Sequence, residues 1–137
     1  MSEPTTIKNN LRVKSGIVLE ESAPATDATA AAITMTAAQV LSGLILRDPN
    51  GAGRADLLPT VAALVAGLRN PRDLSGASFE FTIRNTADAA ETITVTTNTG
   101  WTLSGTMTIA QNNSKTFRVV FTSNTAATLY SIGTFVH

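Results

Sequence analysis

The chain has 137 residues, ten Lys or Arg against ten Asp or Glu, a formal net charge of zero and only 15% charged residues. That balance offers no basic face to nucleic acid, and so little surface charge favours association over mutual repulsion. The lack of cysteine excludes a disulfide framework, a thiolate nucleophile and a Cys-ligated metal.

The length suits one folded domain with a substantial core. Glu3 lies near the start and no apolar core follows a basic stretch, so the first residues do not read as a secretory signal. No run approaches the roughly 20 apolar residues of a membrane span. A soluble protein is the expectation.

Residues 1–32 read as an N-terminal arm and linker, and residues 33–137 as the domain. The arm is polar and mildly basic, with Lys8, Arg12 and Lys14 among isolated Ile7, Leu11 and Val13. Weak alternation allows one strand over 10–20. Two readings stand side by side: a frayed terminus, or an arm that orders on a neighbouring subunit by adding a strand to a sheet edge. On the second reading Ile7, Leu11, Arg12, Val13 and Lys14 are the candidate interface to a neighbouring subunit. Residues 22–32 are small and include Pro24; they cannot bury enough area for a core and read as a linker or loosely held loop.

Ile33-Thr-Met-Thr opens the domain by alternation. Thr36, with Gln39 three residues on, has the form of a capping box, so a short helical turn is expected at 36–42, then a strand at 43–47. Asp48-Pro-Asn-Gly51 is a strong turn signal. Gly51 and Gly53 carry too little of the dinucleotide fingerprint to suggest a nucleotide site. Val61, Leu64, Val65 and Leu68 form the i, i+3, i+4, i+7 stripe of an amphipathic helix over about 60–70. Thr60 is its N-cap, Asn70-Pro71 its end, and Ala62, Ala63, Ala66 and Gly67 a small second face.

Residues 76–137 carry the clearest pattern. Phe79, Phe81 and Ile83 alternate with Glu80, Thr82 and Arg84; Ile93 and Val95, Met107 and Ile109, and Phe117, Val119 and Phe121 repeat the motif. Strands are expected near 78–84, 92–97, 100–104, 106–110, 115–122 and 128–136, separated by Asn-, Gly- and Ser-rich turns. Spacing of this kind predicts a mainly β, antiparallel sandwich. Lys115, Arg118, Arg84 and Glu80 are expected on its outer face, and Trp101 in the core.

Chemistry finds few parts. His137 is the sole histidine and sits at the chain end, a poor mount for a general base or a zinc ligand. Asp48 with Asp56, and Asp88 with Glu91, are the paired carboxylates, both in segments that read as solvated turns. Asn112-Asn-Ser114 has the form of a glycosylation acceptor, a pattern common by chance. No enzyme activity, cofactor or metal is expected.

The order of these segments carries a resemblance. Ile33-Thr-Met-Thr-Ala-Ala-Gln-Val-Leu-Ser-Gly is followed by Leu58-Pro-Thr and an Ala-rich helix. Then come Phe79-Glu-Phe-Thr-Ile-Arg-Asn-Thr, Thr92-Ile-Thr-Val-Thr-Thr-Asn-Thr-Gly-Trp-Thr, Phe117-Arg-Val-Val-Phe-Thr and Ala127-Thr-Leu-Tyr-Ser-Ile-Gly. Over residues 33–137 this resembles the cement, or head decoration, proteins of tailed bacteriophages. The resemblance implies a jelly-roll-like β-sandwich with one short helix, in a homodimer or homotrimer. It also implies a place on the outer capsid surface of the virion, at junctions between major capsid proteins, where the protein stabilises the expanded shell after synthesis in the host cytoplasm. No nucleic acid or membrane partner is implied. Similar Thr-rich β modules occur in phage tail fibres, so a receptor- or glycan-binding module is the alternative.

Overall fold

The computed structural model describes residues 22–69 and 72–137. Among the described residues, nine strands and two short helices follow in the order β1 (Ala25–Asp27), α1 (Ala37–Leu41), β2 (Leu44–Arg47), β3 (Arg54–Leu57), α2 (Val61–Ala66), β4 (Ser78–Asn85), β5 (Ile93–Thr96), β6 (Trp101–Ser104), β7 (Thr108–Ile109), β8 (Asn113–Phe121) and β9 (Ala127–Val136). They form a six-stranded sheet ordered β1-β2-β4-β8-β9-β6 and a three-stranded sheet ordered β3-β5-β7. Side chains from both sheets and both helices meet in one hydrophobic core. No helix among the described residues is long and apolar enough to cross a membrane.

The centre of the large sheet follows from the alternation. Phe81 lies opposite Phe117, with ring centroids 5.4 Å apart and stacked, and Phe79 packs 6.2 Å from Phe121. Cross-strand aromatic pairs of this kind add about 0.5–1.5 kcal/mol beyond the area they bury. Both rings of the stacked pair are fully buried, as are Ile83, Val119 and Leu129.

The expectation of antiparallel pairing throughout is corrected: four of the seven ladders are parallel (β1–β2, β2–β4, β3–β5 and β6–β9). Strands consecutive in sequence seldom share a sheet. β4, β6 and β8 lie in the large sheet while β5 and β7 lie in the small one. The short turns between them therefore pass from layer to layer, and neighbours within a sheet arrive by longer crossovers, which permit parallel pairing.

Local signals hold well. Thr36 caps α1 in a complete capping box: its hydroxyl accepts from the Gln39 amide, and the Gln39 side chain accepts from the Thr36 amide. Thr60 caps α2 by accepting from the Ala63 amide. Asn50 and Gly51 both take positive φ in the turn after β2. α2 stops sooner than its stripe, with Gly67 as C-cap, although Leu68 still packs against the core. A Cβ at Gly67 would lie 2.9 Å from that of Ala37, so α2 meets α1 at this glycine, while Ala62, Ala63 and Ala66 of its small face stay exposed. The loop before β6 straps the other end of α2. Val61 N donates to Thr99 O, Asn98 Nδ2 to Leu58 O and Trp101 Nε1 to Pro59 O. Trp101 is buried there as a core anchor.

Two segments differ from their sequence reading. Ile33-Thr-Met-Thr makes only an isolated parallel bridge, from Thr34 to Leu57, with Met35 entering the core. Residues 22–32, expected as a loose linker, contribute β1 to the edge of the large sheet. Their side chains bury little apolar area, and they are anchored mainly by hydrogen bonds to their main chain.

Candidate functional site

The side-chain share of those bonds comes from Asn50, which donates to the Ala28 carbonyl, and above all from Arg47. Ile45 points inward from β2, and two residues on Arg47 does the same, with 1% of its surface exposed. All five of its N–H donors are used. Nε and one terminal nitrogen donate to the two oxygens of Asp56, at 2.8 and 3.2 Å, and the remaining donors reach the carbonyls of Thr29, Asp48 and Ala31. Asp56, itself 1% exposed in β3, also accepts from the Ile33 amide. The cluster ties the two sheets together and clamps residues 29–33 over their junction. Asp27 stands 3.8 Å from the guanidinium. Partial burial raises its pKa, but hydrogen bonds from Thr29 and Gln39 and the charge of Arg47 outweigh that and hold it below its ordinary value.

A second polar cluster closes the end of the sheets. Asn85 Nδ2 donates to the Glu91 and Ile109 carbonyls at 2.7 and 3.0 Å, and its Oδ1 accepts from the Ala87 amide. Glu91 is buried with Oε1 accepting from the Gly51 amide at 2.7 Å, while its Oε2 has no hydrogen-bond partner. The reading of both carboxylate pairs as solvated acids is thus corrected. Asp56 is held by a buried arginine and Glu91 lies in the interior, while Asp48 accepts from the Asn50 amide and Asp88 is exposed. Neither pair forms a couple facing a shared cleft.

Lys115 is also corrected from outer to inner face. It has the parity of Phe117 and Val119, and it is buried with Nζ donating to the Thr106 carbonyl at 2.8 Å. Burial pushes its ammonium below the ordinary value. The unfolded chain therefore holds more protons than the folded one between that lowered value and 10.5, so stability rises with pH across this window. Urea midpoints measured from neutral to alkaline pH are expected to show the rise, and Lys115→Met to flatten it. Arg118 and Glu80 do pair on the outer face, 3.3 Å apart and half exposed, a contact worth little.

Apart from Glu91 Oε2, the buried polar side chains described above are thus bonded to one another and to the main chain. The His137 ring lies 2.8 Å from the Ser114 hydroxyl, but no carboxylate among the described residues bonds its other nitrogen. No group of three or more His, Cys, Asp or Glu among the described residues is placed to hold a metal ion. Family models, characterised proteins and solved structures offer no match to this chain. The predicted interface residues Ile7, Leu11, Arg12, Val13 and Lys14 lie outside the described residues.

The described surface carries one apolar stretch, at the end of β9. Tyr130, Ile132, Phe135 and Val136 of β9 are 40%, 55%, 60% and 79% exposed. Sequence reasoning placed this strand but not its exposure, because the signal lies in the pairing: β6 covers β9 only as far as Tyr130.

Proposed function

We propose that the protein is a structural virion component that binds the outer surface of a phage capsid at junctions between major capsid proteins and stabilises the expanded shell. It acts by static contact and performs no reaction. The observation that carries this reading is the division of the molecule: interior polar groups, Glu91 Oε2 apart, are spent on one another and on the main chain, while large apolar side chains stand on an uncharged strand at the surface. Exposed apolar surface on a neutral protein marks a site of association. A repeating shell sums modest contacts over many copies.

The jelly-roll-like sandwich belongs to the proposal too. Two sheets sharing one core support it, and the four parallel ladders depart from its antiparallel pairing. The glycan-binding alternative loses ground because Trp101 is buried, its indole N–H given to Pro59, which leaves Tyr130 as the one exposed polar-edged aromatic among the described residues.

Cosedimentation with expanded, undecorated heads is the test. Binding is expected, together with heads that withstand heating better. Deleting residues 2–20 is expected to leave the circular dichroism of a folded domain and to weaken attachment by about tenfold or more, through loss of one of several linked contacts. Heads that neither bind the protein nor gain heat resistance would overturn the proposal.

A further inference from the structure

Four of the five large hydrophobic side chains that stand exposed among the described residues lie within seven residues of β9. Up to Tyr130 this strand is paired on both sides, with β8 and with β6. The chain then leaves β6 at Gly105, where an added Cβ would lie 3.0 Å from that of Ser131. Beyond that point β9 has β8 alone, and residues 132–136 form an open edge, where the main-chain donors and acceptors not used by β8 face away from the sheet.

Open edges are ordinarily guarded by lysine, proline or inward-pointing charge. Here no charged residue and no proline occurs between Val119 and Val136. One bulge sits at Ile132, where the register with β8 shifts, and the strand then continues in regular pairing from Gly133 to Val136.

We propose that this edge pairs with the same edge of a second copy, antiparallel about a two-fold axis, so that the two large sheets become one. An antiparallel strand meeting itself about such an axis sets residue i against j and j against i. Centred on Thr134, that register puts Ile132 opposite the second copy's Val136 twice over, and each Phe135 opposite a Gly133. An aromatic ring beside an edge glycine covers the backbone the glycine leaves bare. Within one chain the Phe135 ring already covers glycine backbone, lying 3.9 Å from a Cβ built on its own Gly133.

Charge favours a second copy over the basic N-terminal segment as occupant. Lys8, Arg12 and Lys14 would find no acid along this edge, whereas two neutral edges meet without repulsion. The inference stands independently of the capsid reading, since it needs no shell.

Sedimentation velocity on the full chain is expected to give the mass of a dimer. Replacing Ile132 and Phe135 together by lysine is expected to weaken dimerisation at least tenfold while leaving circular dichroism unchanged, both side chains being exposed. Thr134→Cys is expected to give a disulfide-linked dimer under mild oxidation, and the control Ala62→Cys, on the exposed side of α2, to give none. A monomer at all concentrations would overturn the proposal, and so would a dimer indifferent to both lysines. A dimer lost on deleting residues 2–21 would assign the edge to the N-terminal segment and overturn it equally.

Discussion

Asp56→Ala is expected to destabilise the protein by about 3–5 kcal/mol, because it leaves a buried guanidinium with two of its five donors unpaired. Against a total stability of roughly 5–15 kcal/mol, that brings the domain near unfolding at room temperature. With a urea dependence of about 2 kcal/mol per molar, the midpoint should fall by roughly 2 M. The double replacement Arg47→Met with Asp56→Leu should cost less, since it removes both charges and leaves no ion stranded. It should not be neutral, because the carbonyls of Thr29, Ala31 and Asp48 lose the donors that hold them. A double mutant as unstable as Asp56→Ala would show that the main-chain clamp, not the stranded charge, dominates.

Gly100→Ala is expected to cost about 3 kcal/mol, from two sources that add. The residue sits at φ +94, where a side chain is strained, and its Cβ would lie 2.5 Å from the Thr125 carbonyl oxygen and 2.9 Å from Val61. Neither neighbour can yield readily: Thr125 O is main chain, and Val61 is fully buried on α2. Gly76→Ala separates the terms. It shares the positive φ, at +81, but meets nothing within 4 Å, so it should cost only about 1 kcal/mol. Thermal denaturation of the two variants side by side checks both, and equal losses would contradict the steric account.

What the sequence made legible is what short-range physics decides. Thr36 with Gln39, Thr60 ahead of the α2 stripe and Asn50-Gly51 after β2 each satisfy their own neighbourhood, and each stands where it was read. The Phe79–Phe81–Ile83 alternation likewise needs only one buried face. Strands β1 and β3 were missed because they are short and their hydrogen bonds belong to partners far along the chain, β2 and β5. The same distance hid the parallel ladders, since nothing in a four-residue strand records which layer the next strand joins.

The polar groups show the limit more sharply. Parity alone places Lys115 beside Phe117, and Arg47 beside Ile45, yet charge suggested the surface for Lys115. Asp56 lies nine residues beyond Arg47, across the Pro49-Asn50-Gly51 turn, and only the folding of that turn brings the two into contact. Buried charges are decided by partners. For the exposed end of β9 no residue type was at fault: its openness follows from where β6 stops.

The claim that this scaffold serves a shell by its surface is tested most directly by a low-resolution map of particles assembled with and without the protein. The account predicts added density on the outside of the expanded head, at junctions between major capsid proteins. Density confined to the tail, or an unchanged head, would contradict it.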